Sequence, residues 1–185
     1  MPVEYSYIRS VLERFEGKGL TRGYIPRRNG KILGRSGVTI GTGVDLGQQT
    51  RQGLLDMGVL ESIVDKFSPY LGKQREAAAR ALAEHPLVLR RGEVIILDAA
   101  VAAAYISASE RRFNRDTSRK FADRPKEVQA VVVSLEYQLG PGGAAWYVEP
   151  IVKGFYDDAV RRLRSAESYG TRRNAEADLL ERAMP

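Results

Sequence analysis

Two carboxylates stand apart near the start of this 185-residue sequence. Glu16 and Asp45 bracket a stretch with no other acid, and nine of the 18 glycines fall between Phe15 and Gly47. The first 46 residues carry eight Lys or Arg but only four carboxylates: Glu4, Glu13, Glu16 and Asp45. A pair of carboxylates flanking glycine-rich backbone suits glycoside hydrolysis. One acid protonates the leaving oxygen while the second handles the nucleophile or the developing charge. Glycines let backbone approach a sugar chain closely and turn sharply without strain. The competing reading makes Glu16 and Asp45 surface carboxylates beside arginines, and makes Thr39 and Thr42 ordinary strand residues. Residue types alone leave both readings open.

Other chemistries are largely closed. There is no cysteine, so neither a disulfide framework nor a thiolate nucleophile can form. A Cys/His zinc site is excluded too, and we expect neither metal nor cofactor. The single histidine, His85, precedes Pro86 in a polar, helix-like stretch, so a Ser-His-Asp arrangement would depend on it alone. An apolar share of 43% is too high for a disordered chain. A formal net charge of +6 favours polyanions: nucleic acid, anionic headgroups or an acidic cell-wall polymer.

These residues need elements to hold them. Tyr5, Ile8, Val11, Leu12 and Phe15 follow three- and four-residue steps, which predicts a helix over 4–16 with Glu16 in its last turn. Gly17 and Gly19 end it. Asn29-Gly30 is a tight-turn signal, and Tyr24-Ile25, Lys31-Ile32-Leu33 and Val38-Thr39-Ile40 read as a small antiparallel sheet. Period-two alternation turns Val38 and Ile40 toward the core and leaves Thr39 facing a cleft. After Gly47 the pattern predicts helices over 50–57, 60–67, 74–82, 97–113, 125–139, 151–164 and 173–182. The valine-rich run 129–139 is read as a buried central helix rather than a strand, with Pro125 at its start. Trp146 is expected in the core. The fold class is α+β: a single domain over 1–185, with a small β-containing lobe at about 16–48 and a helical lobe at about 49–185.

At the same residues a resemblance emerges. Phe15-Glu16-Gly17, then GYIPRRNGKILGRSGVTIGTGVDLGQ over 23–48, resembles the muramidase domain of pesticin and the related phage lysozyme superfamily. SLEYQLG over 134–140 is similar to the S-x-x-Y-N-x-G helix end of those enzymes, and YGTRRNAEADLL over 169–180 to their closing helix. The resemblance implies a lysozyme-like fold and a catalytic triad of Glu16, Thr39 and Asp45. Ordinary phage lysozymes place the aspartate before the T-I-G strand. Here Asp45 follows it, as in the pesticin branch. Gln138 stands where many relatives have asparagine. The resemblance further implies substrate contacts from Tyr24, Tyr137 and Gln138. Arg35, which with Arg22, Arg27, Arg28 and Lys31 crowds the small lobe with positive charge, is read as another.

The implied activity is a muramidase cutting the β-1,4 bond between N-acetylmuramic acid and N-acetylglucosamine. Glu16 would donate a proton to the glycosidic oxygen, while ionised Asp45 and the Thr39 hydroxyl hold the attacking water. A carboxyl separation of about 6.5–9.5 Å seats that water and inverts the anomeric centre, whereas about 5 Å favours retention. Alternatives are a lytic transglycosylase, another glycan-cleaving enzyme, or a non-catalytic peptidoglycan-binding relative. The partner is the peptidoglycan glycan strand, with an immunity or inhibitor protein added if the chain is a toxin. We expect a monomer that binds no nucleic acid. The charges in the first twenty residues do not suit a cleavable signal, and Leu97–Ile106 is too short to span a bilayer, so stable membrane insertion is not expected. The enzyme would be made in the cytoplasm and reach the wall by release, as an endolysin does, or by injection, as a toxin.

Overall fold

Apolar periodicity sets the first helix. In α1 (Tyr5–Glu16), Ile8, Val11 and Leu12 are buried, and Gly17 follows at a φ of +81°, the left-handed position that commonly ends a helix. The computed structural model describes residues 2–17, 19–115 and 117–184. The chain is α+β and divides into two compact units, one of residues 16–104 and one of residues 1–15 with 105–185.

The first unit holds the strands. β1 (Leu20–Tyr24), β4 (Thr39–Gly41) and β5 (Val44–Asp45) form an antiparallel sheet with β4 in the middle. β2 (Arg27–Arg28) and β3 (Lys31–Ile32) form a separate hairpin around the Asn29-Gly30 turn, where both residues have positive φ. The pairing of β1 with β4 is interrupted between Leu20 and Tyr24, where residues 21–23 bond instead to 87–89. Three short helices follow: α2 (Arg51–Asp56), capped by the Thr50 hydroxyl, α3 (Glu61–Val64) and α4 (Arg75–Glu84). The unit's core gathers Val38, Ile40, Leu46, Leu54, Val64 and Phe67.

α5 (Arg91–Phe113) runs from this unit into the second. It starts six residues before the predicted Leu97, because Glu93 reaches back to the Arg90 N–H at 2.8 Å and caps the first turn. Val94, Leu97 and Val101, then Ile106, Ser109 and Phe113, mark its buried side. Length and composition alone would let this helix cross a membrane.

The second unit is helical. α6 (Lys126–Lys153) is buried at every residue from Val128 to Glu136, so the valine run is a central helix and not a strand. Gly140, at φ 68° and ψ 165°, breaks the helical path, and a second segment resumes at Pro141. Proline is tolerated there because the first turn of a helix has no intrahelical use for its N–H. The helix predicted over 151–164 is therefore split: residues 151–153 close this segment, Gly154 at a φ of +82° ends it, and a separate helix starts at Tyr156. Trp146 is correspondingly not core. It is 52% exposed, with the Arg162 guanidinium 5.1 Å from its ring, because Ala144 and Ile151 take the buried side of this segment. α7 (Tyr156–Arg164) and α8 (Gly170–Arg182) complete the unit.

Candidate active site

Strand register assembles the first unit's candidate residues. Tyr24 on β1 pairs with Thr39 on β4, and Thr39 pairs with Asp45 on β5. Directly opposed residues in an antiparallel sheet share a face, so Tyr24, Thr39 and Asp45 form one row across it. Glu16, half-buried at the end of α1, belongs to the same unit. Its relation to the row shows in the Tyr24 phenol. Burial raises the pKa of that hydroxyl, and the negative charges of Glu16 and then Asp45 raise it further. Both carboxylates therefore act on one hydroxyl.

Asp45 is held from one side. Its Oδ1 accepts the backbone N–H of Gly37 at 3.0 Å and that of Gly47 at 2.9 Å. Its Oδ2 makes no hydrogen bond among the described residues. Burial raises the carboxyl pKa above the ordinary value, and the two N–H groups offset part of that rise. The cradle requires glycine at both positions. A Cβ on Gly37 would lie 2.5 Å from Gly47 Cα and 2.7 Å from Asp45 Oδ1, and one on Gly47 would lie 2.5 Å from the Lys73 carbonyl. A carboxylate with one oxygen fixed and the other open can take a proton from a water without losing its position.

Thr39 differs from the expectation of an open face. It is 4% exposed, and its hydroxyl donates a long, 3.4 Å hydrogen bond to the Gly37 carbonyl. The cause is its place on the central strand, where Tyr24 and Asp45 flank it directly on the same face. Arg35 lies outside the row on an exposed loop and donates to Gln74 Oε1 at 2.9 Å. Gln74 in turn donates to the Gly47 carbonyl at 3.1 Å, linking Arg35 to the Asp45 cradle.

Three participants were not anticipated. Gly37 and Gly47 signal only as glycines inside G-V-T and V-D-L-G. Asp98 on α5 gave no signal at all, yet its Oδ1 accepts the Thr42 N–H at 2.9 Å and packs against Gly41 in the β4–β5 turn.

Tyr137 and Gln138 belong to the second unit. The Tyr137 ring packs on Tyr105 at 4.7 Å, and Gln138 Oε1 accepts from Arg173. The same arginine bonds the fully buried Glu176, which also accepts from Ser134 at 2.6 Å and from Arg172 at 3.3 Å. The motifs at 134–140 and 169–180 thus share one buried polar network. Each long cation in it has an acceptor, as burial of charge demands. No cluster of three or more His, Asp or Glu suited to a metal ion occurs among the described residues.

Residues 8–144 match the model of the pesticin family, described as a bacterial toxin homologue of phage lysozyme, C-terminal part. The chain belongs to this family. Membership supports a glycan-cleaving enzyme, and the matched span includes Glu16, Tyr24, Thr39, Asp45, Tyr137 and Gln138. The α8 motif lies beyond it. A comparison with curated proteins finds none that matches.

Proposed function

We propose that this chain is a muramidase that hydrolyses the β-1,4 bond between N-acetylmuramic acid and N-acetylglucosamine in peptidoglycan. The observation that carries the reading is the row Tyr24–Thr39–Asp45, in which the Gly37 and Gly47 N–H groups hold Asp45 by one oxygen, with Glu16 in the same unit. Glu16 gives its proton to the glycosidic oxygen as the bond to the anomeric carbon breaks. Water forms the new bond to that carbon, and its proton passes to the open Oδ2 of Asp45. The Thr39 hydroxyl exchanges its weak bond to Gly37 for one to that water. Tyr24 and Arg35, in the same unit as Asp45, contact the glycan. Attack opposite the leaving group inverts the anomeric centre. The substrate places the enzyme's work at the wall, in the periplasm or outside the cell. The +6 charge suits such an anionic surface, which makes lysis sensitive to salt.

The test is digestion of purified peptidoglycan by wild type, Glu16→Gln and Asp45→Asn, with products read by mass spectrometry. Asparagine keeps an oxygen for the Gly37 and Gly47 N–H groups while removing the base. Each substitution should lower the rate ~10²–10⁴-fold with the fold retained. Wild-type products should end in reducing muramic acid. Products ending in 1,6-anhydro-muramic acid would mean transglycosylation and remove Asp45's role as base. A wild type that binds but does not cut would leave only a wall-binding protein.

A further inference from the structure

The basic residues of the β2–β3 hairpin are not used by the chemistry above. Arg27 and Lys31 from that hairpin meet Arg75 and Arg80 from α4 around a concavity of about 730 Å³. Glu76 is the one carboxylate in its lining. None of the four cations forms an ion pair among the described residues, whereas Arg51, Lys66, Arg90, Arg112 and Arg164 all do. Four uncompensated positive charges around one hollow repel each other and lower the free energy of an anion placed there.

Two of the guanidinium groups are held in place by the backbone. Arg27 Nη1 donates to the Gly30 carbonyl at 2.9 Å, and Arg75 Nε donates to the Gly34 carbonyl at 3.1 Å. The remaining nitrogens of each fork stay available, in the geometry that suits paired oxygens. Arg75 also adopts a φ of +53°, a left-handed conformation that side-chain-bearing residues rarely take. Its N–H to the Ser36 carbonyl at 2.9 Å holds it there and ties the start of α4 to the loop after the hairpin.

From this arrangement we infer that the hollow between the β2–β3 hairpin and α4 is a binding site for the phosphodiester groups of an anionic polymer chain. A volume within the roughly 300–1,000 Å³ of ordinary ligand pockets holds a segment of chain rather than one small ion. Four cations call for more negative charge than one carboxylate supplies. The concave shape admits a flexible strand, and a flat bilayer surface does not enter it. The site goes beyond the glycan-cleaving reading, because it uses neither Glu16 nor Asp45. It would hold the protein on phosphate-bearing wall material.

The experiment titrates the full chain with a short glycerol-phosphate oligomer by calorimetry, at low and at physiological ionic strength. Lys31→Gln/Arg80→Gln should weaken binding about tenfold. Neither side chain makes a hydrogen bond or ion pair among the described residues, so the fold should persist. Arg27→Gln/Arg80→Gln should reproduce the loss. The control Arg119→Gln/Lys120→Gln removes the same charge elsewhere and should change affinity less than twofold. Equal weakening in both sets would mean attraction by net charge alone and overturn the site. Absence of oligomer binding by wild type would overturn it as well. Binding to phosphatidylglycerol vesicles or inorganic phosphate as tight as to the oligomer would overturn the polymer assignment. Hydrolysis of phosphate-free peptidoglycan should be unchanged in the hollow variants, so failure here leaves the proposed activity standing.

Discussion

Gly37→Ala probes the Asp45 cradle with a single methyl group. The new Cβ would sit 2.5 Å from both Cα and N of Gly47, against 3.4 Å or more for ordinary contact. The two backbones must therefore part by about 0.9 Å. Moved that far, the Gly47 N–H bond to Asp45, now 2.9 Å, passes out of hydrogen-bonding range. Overpacking costs ~1–3 kcal/mol. A lost hydrogen bond to a charged group costs about 1.5–3 kcal/mol. For a chain of this size each kcal/mol lowers Tm by roughly 2–4 °C. If Asp45 is the base, displacement by about 1 Å should cut turnover on the order of 10²-fold. The assay pairs thermal melts with peptidoglycan digestion and uses Gly58→Ala as reference. Gly58 has a φ of +82° with nothing near its would-be Cβ, so alanine there strains the backbone at about 1–2 kcal/mol without touching Asp45. Gly58→Ala should lose stability and keep its rate, whereas Gly37→Ala should lose both. Wild-type Tm and rate in Gly37→Ala, or equal rate losses in the two variants, would refute the cradle.

Gly92, in the first turn of α5, has ordinary φ and open space around its would-be Cβ, so Gly92→Ala should stabilise by ~0.5–1 kcal/mol, and a Tm at or below wild type would contradict this. Glu93 accepts from Lys66 and from Arg90, which lowers its carboxyl pKa from 4.5 to about 2. A carboxylate depressed by folding contributes stability that is present above its unfolded value and disappears as pH falls from about 4.5 toward 2. Urea denaturation across that window should show the decline in wild type and a smaller one in Glu93→Gln. Asp45 has the opposite sign. Its folded pKa is raised, so the native state holds that proton more tightly than the unfolded chain, and its share of stability falls as pH rises through the shifted range. The acidic limb of kcat/KM should accordingly lie above the ordinary carboxylate value of 3.8, and a limb at or below it would contradict Asp45 as the base.

What could be read along the chain follows from the range of the physics involved. Helical periodicity is local, so α1 and the buried stretch of α6 were legible in their own residues. Gly140, Gly142 and Gly143 read as a connection between helices, whereas the structure breaks only at Gly140 and lets Pro141 start a helical segment whose exposed side carries Trp146. The Asp45 cradle was invisible for a different reason. Gly37 and Gly47 are ten positions apart and meet only after β4 and β5 have paired, so neither shows alone what its missing side chain is for. The spacing of Thr39 and Asp45, by contrast, carries structural information once the turn is known. Thr39 pairs with Asp45 and Ile40 with Val44, leaving Gly41, Thr42 and Gly43 as the connection. Gly41 and Gly43 take positive φ, and Asp98 binds the Thr42 N–H between them. A slip of one residue would turn Asp45 to the opposite face of the sheet, away from Thr39 and Tyr24. Half-buried Asp98 on α5 therefore helps keep Asp45 on the face it shares with Thr39 and Tyr24, although it stands 53 positions further along the chain.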